Sequence, residues 1–559
     1  MPINHGTSST AVNCEYVWLI KMGFEQIAIA LGDVVWISLA FALGFVSRIV
    51  GLPPLVGFLV AGFVLNTQGV ATGQTLEKLS DLGITLLLFT VGLKLNLRTL
   101  VRPQVWAVTG IHSALVVLLL SLSIYALALF GIPFFTDLDW QGSLLIAFAL
   151  SFSSTVFVVK ALEAKGEGAS FHGRIAVGIL IMQDLAAVVF LAVSAGKWPT
   201  VWAGLIVLLF PLRILLWQLL KRVGHGELLV LYGFSLALGG AQIFELVGLK
   251  GDLGALIFGV LIASQAKAEE LAKTMLSFKD LFLLGFFLSI GMSGELTYQA
   301  LFVGLSIVPF VFIKSALFFA LFTAFKLRSR TALLASINLG NFSEFGLIVT
   351  AIGVSSGWIG AQWLIIIAIA LALSFVIAAV LNTYSHSIYN RFQFTWRRLQ
   401  RTERLADDSL LDVSGATIAI IGMGGIGTGA FDKMCNTKDE NLIGIDIDPV
   451  TVKNQRDAGR NVLLGDPSDP DFWDRVKTTH TLKLVMLALP RLSANLAVLE
   501  ELKAASFTGQ VAVTAKFDDE VDILKKAGAT SVFNIYTEAG TGFASHVEAL
   551  NGLPATAGE

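Results

Sequence analysis

Long runs of apolar residues, separated by short polar loops, occupy the chain from about residue 24 to residue 388. A helix needs about 20 mostly apolar residues to cross the hydrocarbon core of a bilayer. The pattern therefore predicts thirteen spans, or twelve if the glycine-split second run or the short ninth run is only a half-span. The predicted spans are 25–48, 51–70, 79–97, 104–131, 141–163, 174–195, 199–221, 227–247, 252–266, 278–294, 298–324, 331–355 and 359–388.

The Lys and Arg residues near the ends of these spans are divided unequally between the two sides. With thirteen spans and an external N-terminus, twenty of them fall on one side. The other side receives four, namely Lys21, Lys78, Lys197 and Lys250. Because basic loops are retained in the cytoplasm, the richer side is cytoplasmic. This predicts a multi-pass protein of the inner (plasma) membrane with a cytoplasmic C-terminal end.

Composition agrees with a membrane domain followed by a soluble one. The chain is 55% hydrophobic and only 14% charged, which is too apolar for an ordinary soluble protein, yet charged residues reach soluble density from Arg391 onward. We therefore predict an N-terminal segment 1–24, a membrane domain 25–390, a basic linker 391–412 and a cytoplasmic domain 413–559. The two cysteines, Cys14 and Cys435, lie in different regions and predict neither a disulfide framework nor a thiolate metal site.

A carboxylate lies in the middle of the sixth apolar run. Asp184 follows Gln183 in GRIAVGILIMQDLAAVVFLAV. A charged group at the centre of a span costs at least about 2.5–3.5 kcal/mol, so its presence needs a reason. A carboxylate there can hold a proton or a desolvated alkali cation, which predicts an ion-carrying site for potassium or sodium. The alternative is a structural ion pair with a basic residue of another span.

Lys314 lies deep in the eleventh run, SIVPFVFIKSALFFALF. Its side chain is too short to reach water easily from that depth. We therefore expect it to face a cavity or a partner near Asp184, in a role that the sequence leaves open.

The twelfth run carries a third ionisable group. Glu344 follows Asn341 and Ser343, between Gly340 and Gly346. Glycines beside oxygen-bearing side chains favour an interrupted helix that lines a cavity. Glu344 could contact the ion, or it could serve as a helix cap or a structural salt bridge.

The fifth run has a matching polar patch that includes Ser153, Ser154 and Thr155. Hydroxyl groups at this density can cap broken half-helices and coordinate cations. The run with this patch comes directly before the run that carries Asp184. In the second half of the domain, the run that carries Lys314 comes directly before the run with Asn341–Glu344. Two polar-interrupted helices beside two charge-bearing helices, in matching halves, predict an inverted-repeat transporter with its site at mid-membrane.

The cytoplasmic domain contains a glycine-rich loop between a predicted strand and a helix. Thr417–Ile421 predicts a buried strand, and a second strand ends in Asp446. Glycines let a diphosphate approach the backbone N–H groups of the loop, and the carboxylate of Asp446 can accept hydrogen bonds from ribose hydroxyls. Further strands at 461–464, 483–488, 510–514 and 531–534 complete a Rossmann-like sheet. The predicted nucleotide-binding residues are Gly422, Gly424, Gly425, Ile426, Gly427, Asp446, Asp448 and Asp466.

These segments together resemble the Kef-type potassium:proton antiporters of the monovalent cation:proton antiporter superfamily. The resemblance is carried by VGFLVAGFVLN, LLLFTVGLKL, ALSFSSTVFVVKAL, GRIAVGILIMQDLAAV, LLGFFLSIGMS and LGNFSEFGLIV, in that order along the membrane domain. The tail resembles the family's regulatory TrkA-N (RCK) domain through GMGGIG, IDIDP and the pair Gly465-Asp466.

The resemblance implies an NhaA-like fold with inverted repeats, whose crossing broken helices map onto 141–163 and 331–355 and whose lysine-bearing span carries Lys314. It implies a homodimer in the lipid bilayer, in which Asp184 alternates between H⁺ and K⁺ beside Gln183. A single carboxylate at Gln-Asp implies electroneutral, one-for-one exchange and potassium efflux. The regulatory ligand would be an adenine nucleotide, AMP or NAD(H), and an ancillary cytoplasmic regulator would be a further partner; no catalytic metal or nucleic acid is expected.

Two segments differ from the family pattern. Gly425 stands where glutathione-gated members carry an arginine, and the predicted loop Gln265–Asp280 is less acidic than the family's regulatory segment. The chain also ends soon after the Rossmann-like unit. These differences argue against glutathione gating and leave adenine-nucleotide control as the expectation.

Three other functions compete with potassium:proton exchange. A sodium:proton antiporter would have the same fold. A potassium channel gated by an RCK domain is suggested by Thr90–Lys94, which is similar to the filter sequence TVGYG but lacks its second glycine. A membrane-tethered dehydrogenase would need hydride-transfer chemistry near the cleft. None is evident in the sequence, so we expect a sensor domain and no enzyme.

Overall fold

The computed structural model describes residues 34–70, 74–94, 102–194, 209–248, 251–294, 296–401, 403, 405, 408, 415–435, 441–469, 472–473 and 481–551. The predicted N-terminal segment 1–24, most of the basic linker beyond residue 401, and Lys21, Lys197 and Lys250 lie outside these residues. So do residues 25–33 of the first predicted span and 199–208 of the seventh.

The regular secondary structure of the membrane domain is helical in the residues that the structure describes. Its helices are α1 (Val34–Ile49), α2 (Pro54–Thr67), α3 (Gln74–Lys94), α4 (Pro103–Leu129), α5 (Trp140–Ser151), α6 (Thr155–Lys165), α7 (Phe171–Ser194), α8 (Leu209–Arg222), α9 (Glu227–Leu246), α10 (Gly251–Ile262), α11 (Ala266–Met292), α12 (Tyr298–Ile307), α13 (Phe310–Ala324), α14 (Ser329–Leu339), α15 (Glu344–Ser355) and α16 (Gln362–Thr383). Two short helices follow, α17 (Ser385–Arg391) and α18 (Gln393–Arg398).

Every predicted span overlaps at least one of these helices. Within the described residues, seven helical segments are long and apolar enough to cross a membrane, or eight if the bent pair α14 and α15 counts as one span. Three shorter apolar helices, α1, α2 and α10, accompany them. A multi-pass helical membrane domain is therefore confirmed, whereas the count of thirteen stays a prediction.

Two local expectations were wrong, one for the loop before the tenth span and one for the end of the thirteenth. The predicted loop Gln265–Asp280 is helical, because α11 starts at Ala266 and the segment consists largely of good helix formers without Gly or Pro. The eleventh predicted span, 298–324, is confirmed as one apolar segment long enough to cross a membrane, with a short interruption between α12 and α13 at residues 308–309, where the ring and missing N–H of Pro309 disturb the helix. The thirteenth, predicted to residue 388, ends at Thr383.

Glycine pairs bring neighbouring membrane helices into close contact. A Cβ atom added to Gly62 of α2 would lie 2.7 Å from Cα of Gly291 on α11, and one added to Gly259 of α10 would lie 3.0 Å from Cα of Gly92 on α3. Small residues are favoured at such crossings because association within lipid depends on close packing of the backbones.

The chain divides into two compact units whose boundaries fall inside the membrane domain. One unit contains Met1–Ser154, Ile179–Lys314 and Gly340–Val380. The other contains Thr155–Gly178, Ser315–Leu339 and Leu381–Glu559. The C-terminal domain therefore forms one compact unit with α6, the first turns of α7, most of α13 and all of α14.

The C-terminal domain contains a six-stranded parallel sheet. Its elements are β1 (Ile418–Ile421), α19 (Gly425–Cys435), β2 (Leu442–Asp446), α20 (Pro449–Asp457), β3 (Val462–Leu464), β4 (Leu484–Leu487), α21 (Leu492–Ala504), β5 (Gln510–Ala515), α22 (Asp518–Ala527), β6 (Ser531–Asn534) and α23 (Ile535–Asn551). The strand order β3-β2-β1-β4-β5-β6 is that of a Rossmann fold, as predicted. The central strand β1 is buried at all four positions, which is typical of a parallel sheet covered on both faces.

Candidate functional site

Two helices of the membrane domain are interrupted at the positions that the polar patches predicted. The first break separates α5 from α6 at residues 152–154, and the second separates α14 from α15 at 340–343 with a bend of 43°. A break leaves N–H and C=O groups without intrahelical partners. Lipid offers no replacement for these partners, so the protein must supply them itself.

Side-chain amides satisfy the N–H groups of the first break. The Oε1 atom of Gln183 accepts a hydrogen bond from the N–H of Ser153 at 2.9 Å, and its Nε2 atom donates to the carbonyl of Ser151 at 3.4 Å. The Oδ1 atom of Asn341, in the second break, accepts from the N–H of Ser154 at 2.7 Å. The two breaks are therefore bonded directly to each other, as expected for crossing broken helices.

Lys314 satisfies carbonyl groups of both breaks. Its ammonium, on the buried side of α13, donates to the carbonyl of Phe152 at 2.5 Å and to that of Asn341 at 2.8 Å. Both carbonyls follow the C-terminal ends of half-helices, where the helix dipole favours a cation. The main chain of the two breaks thus binds this lysine, and its predicted position at a cavity or a partner near Asp184 stays a prediction.

Asp184 and Gln183 are adjacent in α7, and their side chains are 2% and 1% exposed. Gln183 fixes this part of α7 to the first break through the two bonds described above. Burying an ionised carboxylate is strongly unfavourable unless a cation or a proton compensates its charge. The geometry therefore places a buried acid one residue from the side chain that closes a broken helix.

The second break ends in a capped helix. The Oγ atom of Ser343 accepts from the N–H of Phe345 at 3.2 Å, so Ser343 rather than Glu344 is the N-cap of α15. Glu344 is fully buried in the first turn, where the helix dipole favours a negative charge. Among the described residues its Oε1 atom has no hydrogen-bond partner, whereas its Oε2 atom lies 3.5 Å from Oγ of Ser343.

The remaining predicted residues of the first patch are distributed along the same break. Ser153 and Ser154 lie within it and are fully buried, and Thr155 is the first residue of α6. Ser374 of α16 was not predicted; its Oγ atom accepts from the N–H of Phe342 at 3.0 Å. A single hydroxyl in an apolar run does not indicate a bond to a broken helix, because most such hydroxyls bond to their own helix.

The glycine-rich loop opens onto a cleft of about 580 Å³ at the carboxyl ends of the strands. Gly422 has φ of +92°, a conformation that favours glycine. Gly424 and Gly425 have open space where a side chain would lie, and 43% of Ile426 is exposed beside them. The N-terminus of α19 begins in this loop, which makes it suited to bind phosphate.

Asp446 links the loop to the end of β2. Its carboxylate accepts from the N–H of Met423 at 2.7 Å and from the N–H of Asp448 at 2.8 Å. A carboxylate has about four acceptor sites, so it can also accept from ribose hydroxyls. The cleft has two cations that sequence analysis missed, Arg491 and Lys516, which follow β4 and β5 closely and could neutralise phosphates.

Asp448 has a structural role in the fold. It caps α20 by accepting from the N–H groups of Val450 and Thr451 at 3.2 and 3.0 Å. Partial burial raises its pKa, but the hydrogen bonds from Thr451 and Val450 outweigh burial and hold the pKa below its ordinary value. Its predicted contact with a nucleotide stays a prediction.

Asp466, after β3, is bound to the start of α14. Its carboxylate accepts from Nη1 of Arg330 at 2.9 Å and from the side-chain hydroxyl of Ser468 at 2.7 Å. Burial raises its pKa, but the charge of Arg330 outweighs burial and leaves the pKa below its ordinary value. A second buried ion pair, Arg328 with Asp469 at 2.7 Å, lies beside it.

The tightest turn of the loop gives a testable prediction. A Cβ atom added to Gly427 would lie 1.8 Å from the carbonyl oxygen of Gly422, whereas one added to Gly429, two residues further along α19, meets nothing within 4 Å. We expect Gly427→Ala to displace the loop and to abolish nucleotide binding measured by calorimetry on the purified full-length protein. Gly429→Ala is the matched control and should bind as wild type does; equal binding by both variants would contradict this geometry.

Two protein-family models match the chain. The sodium/hydrogen exchanger, transmembrane model matches residues 36–383, and the TrkA-N domain model matches residues 418–535.

Among curated proteins, the chain is 27% identical over 556 residues to KefB of Alkalimonas amylolytica, covering 93% of this chain and 82% of that protein. It is 26% identical over 538 residues to YbaL of Escherichia coli, covering 88% and 92%. It is 26% identical over 505 residues to a glutathione-regulated potassium-efflux system protein, KefC of Cronobacter sakazakii, covering 86% and 78%.

Two solved structures are similar to separate parts of the chain. The sodium proton antiporter MjNhaP1 of Methanocaldococcus jannaschii covers 65% of this chain and 97% of its own, with 16% identity and a TM-score of 0.45. The TrkA-N domain of the inner membrane protein ybaL of Escherichia coli covers 25% and 100%, with 20% identity and a TM-score of 0.22.

Proposed function

The chain belongs to the sodium/hydrogen exchanger transmembrane family and carries a cytoplasmic TrkA-N domain, and from that premise we propose that it exchanges potassium for protons, one for one, under nucleotide control. The observation that carries the proposal is the buried Asp184, adjacent to the glutamine that closes the first broken helix.

A single carboxylate supports electroneutral exchange. Asp184 would bind a proton or a monovalent cation but not both, so each crossing of the membrane moves one positive charge in either direction. Lys314, whose ammonium is engaged by two backbone carbonyls, would remain a fixed part of the scaffold. The buried hydroxyls of Ser153 and Ser154, with Thr155 and Glu344, are candidates for further cation ligands.

Potassium is the proposed cation because similarity extends along most of the chain to a potassium-efflux system protein. The Kef-type motifs in the membrane domain support the same choice. A sodium:proton antiporter of this fold is the alternative.

The TrkA-N domain would act as a sensor. Its glycine loop, Asp446 and the cations Arg491 and Lys516 line one cleft that suits a nucleotide with a phosphate chain. An adenine nucleotide, AMP or NAD(H), is the proposed ligand, and we propose that the chain is not an enzyme.

A homodimer is the proposed assembly.

Flux in proteoliposomes tests the transport proposal. Outward gradients of potassium, rubidium or sodium would be imposed in turn while internal pH is recorded with a fluorescent dye. We expect potassium to drive proton uptake at a rate that does not change when a permeant lipophilic cation, tetraphenylphosphonium, dissipates the membrane potential. Potassium movement without proton movement would indicate a channel, and a response to sodium alone would indicate a sodium exchanger.

Asp446→Ala tests the sensor proposal. Removing the carboxylate takes away the acceptor for ribose hydroxyls, so we expect AMP and NADH to bind at least about tenfold more weakly by calorimetry, a loss of about 1.4 kcal/mol. Cation-driven proton flux without nucleotide should remain. Unchanged affinity for both ligands would count against this site.

A further inference from the structure

Resting on the nucleotide control proposed above, we propose that the nucleotide pocket is composite: the loop Lys165–Glu167, at the start of the connection from α6 to α7, forms one wall of it and contacts the nucleoside. The nucleotide would then contact two parts of the chain at the same time. One is the Rossmann-like sheet, and the other is the connection between α6 and α7, the helix that carries Asp184.

A smaller cavity of about 70 Å³ adjoins the cleft and is where the two parts meet. Gly422, Asp446 and Leu489 line both the smaller cavity and the cleft, and so does Gly166 of the loop. The smaller cavity also has Asp466 and Ser468 on the sheet side and Lys165 and Glu167 on the loop side. The two spaces are therefore neighbours with a shared wall that includes Gly166.

The position of this cavity identifies which part of a nucleotide it would receive. It lies beyond the carboxyl ends of β2 and β3, next to Asp446, where a Rossmann fold holds the nucleoside. The glycine loop and the start of α19, with Arg491 and Lys516, lie on the cleft side and suit the phosphates. The loop wall therefore faces the nucleoside half of the ligand.

The loop and the last turn of α6 contact the C-terminal domain directly. The Oγ atom of Ser493 donates to the carbonyl of Ala164 at 3.2 Å. A Cβ atom added to Gly166 would lie 3.7 Å from Cβ of Ala494 and 3.8 Å from Cδ of Arg491, so the loop passes along the start of α21. Gly166 has φ of +76°, which lets the chain turn here without a side chain entering the pocket.

The two charged residues of the loop are bound to other parts of the same unit. Lys165 donates to the carbonyl of Asn382 and, at 2.8 Å, to the hydroxyl of Ser385. Glu167 bonds to Nε2 of His386 at 2.6 Å and to Nε2 of His172 at 3.1 Å. Burial raises the pKa of Glu167, but the bonds to both histidines outweigh it and hold the pKa well below its ordinary value.

With both side chains anchored, the loop offers the ligand a fixed backbone wall at Gly166. A ligand that fits this wall would stabilise one position of the loop. It would therefore also stabilise one position of α6 and α7, which flank the loop. Because such coupling is reciprocal, a conformational change that moves α6 or α7 would also change nucleotide affinity. Arg174 near the start of α7, whose Nη1 lies 3.5 Å from the carbonyl of Ile447, adds a second link to the same edge of the sheet.

Gly166→Asn tests the composite pocket. Asparagine tolerates the left-handed conformation better than other residues with a side chain, and it would project between the cleft and the smaller cavity. Gly168→Asn is the matched control: it makes the same change in the same connection at an exposed glycine that lines neither cavity. AMP and NADH would be titrated separately into the purified full-length wild type and each variant, after thermal unfolding has shown which variants are folded.

We expect Gly166→Asn to weaken binding of AMP, of NADH or of both by about tenfold or more, equivalent to about 1.4 kcal/mol, while Gly168→Asn binds as wild type. If Gly166→Asn does not fold, Gly166→Ala replaces it, with a smaller loss expected in the same direction. Wild-type affinity for both ligands in the folded Gly166 variant, together with loss of binding in Asp446→Ala, would overturn the composite pocket and leave the sensor intact. Absence of binding to wild type would overturn both.

Discussion

Asp184→Asn should reduce cation-driven proton flux to the level of protein-free liposomes while leaving the protein folded. Asparagine has nearly the same shape as aspartate but can neither release a proton nor neutralise a cation in a buried position. Because Asp184 is 2% exposed, little water is available to solvate a cation that has lost its carboxylate partner. Flux would be measured with a pH-sensitive dye in proteoliposomes, and folding by thermal unfolding.

The matched control is Asp137→Asn, the same change at an exposed carboxylate in the loop before α5. It should exchange at the wild-type rate. Wild-type flux in Asp184→Asn would remove the carboxylate from the transport cycle.

Lys314→Met should be the most destabilising single change in the membrane domain. Methionine keeps much of the length of the side chain but donates no hydrogen bonds, so the carbonyls of Phe152 and Asn341 would lose a buried partner. An orphaned buried polar group costs about 1–3 kcal/mol, and two are created at once. We expect a clear fall in the midpoint of thermal unfolding in detergent, together with loss of exchange.

Lys221→Met, at the exposed end of α8, makes the same change where the side chain is exposed and should leave the midpoint within experimental error. Lys314→Arg keeps a cation and several donors, so it should retain more stability than Lys314→Met. If Lys314→Met unfolds at the wild-type midpoint, the lysine does not hold the two breaks together.

The elements of the fold that depend on local pattern could be predicted from the sequence. The six strands lie within a residue or two of their expected limits, because short buried apolar runs between glycines and acids are typical of a parallel sheet. The two breaks were found because glycine and hydroxyl residues interrupt otherwise apolar helices. The helical start of α11 was missed, because charged residues before an apolar run were interpreted as a loop.

The partners of the site residues could not be predicted from the sequence. Lys314 and Phe152 are 162 positions apart, and Arg330 and Asp466 are 136 apart. Periodicity fixes which face of a helix is buried but not which residue of a distant element lies opposite. The bonds from Lys314 to backbone carbonyls freed by two helix breaks could not be read from its charge, and its expected position at a cavity or a partner near Asp184 stays a prediction.

Proton release on potassium binding is the most direct test of a single carboxylate that carries either ion. Potassium would be titrated into detergent-solubilised protein by calorimetry in two buffers of different ionisation enthalpy, and the difference between the two heats gives the number of protons released. Across a series of pH values, we expect the release from the wild type to approach one proton per bound potassium toward acidic pH, and we expect none from Asp184→Asn. Potassium binding without proton release, or equal release from the variant, would contradict the account.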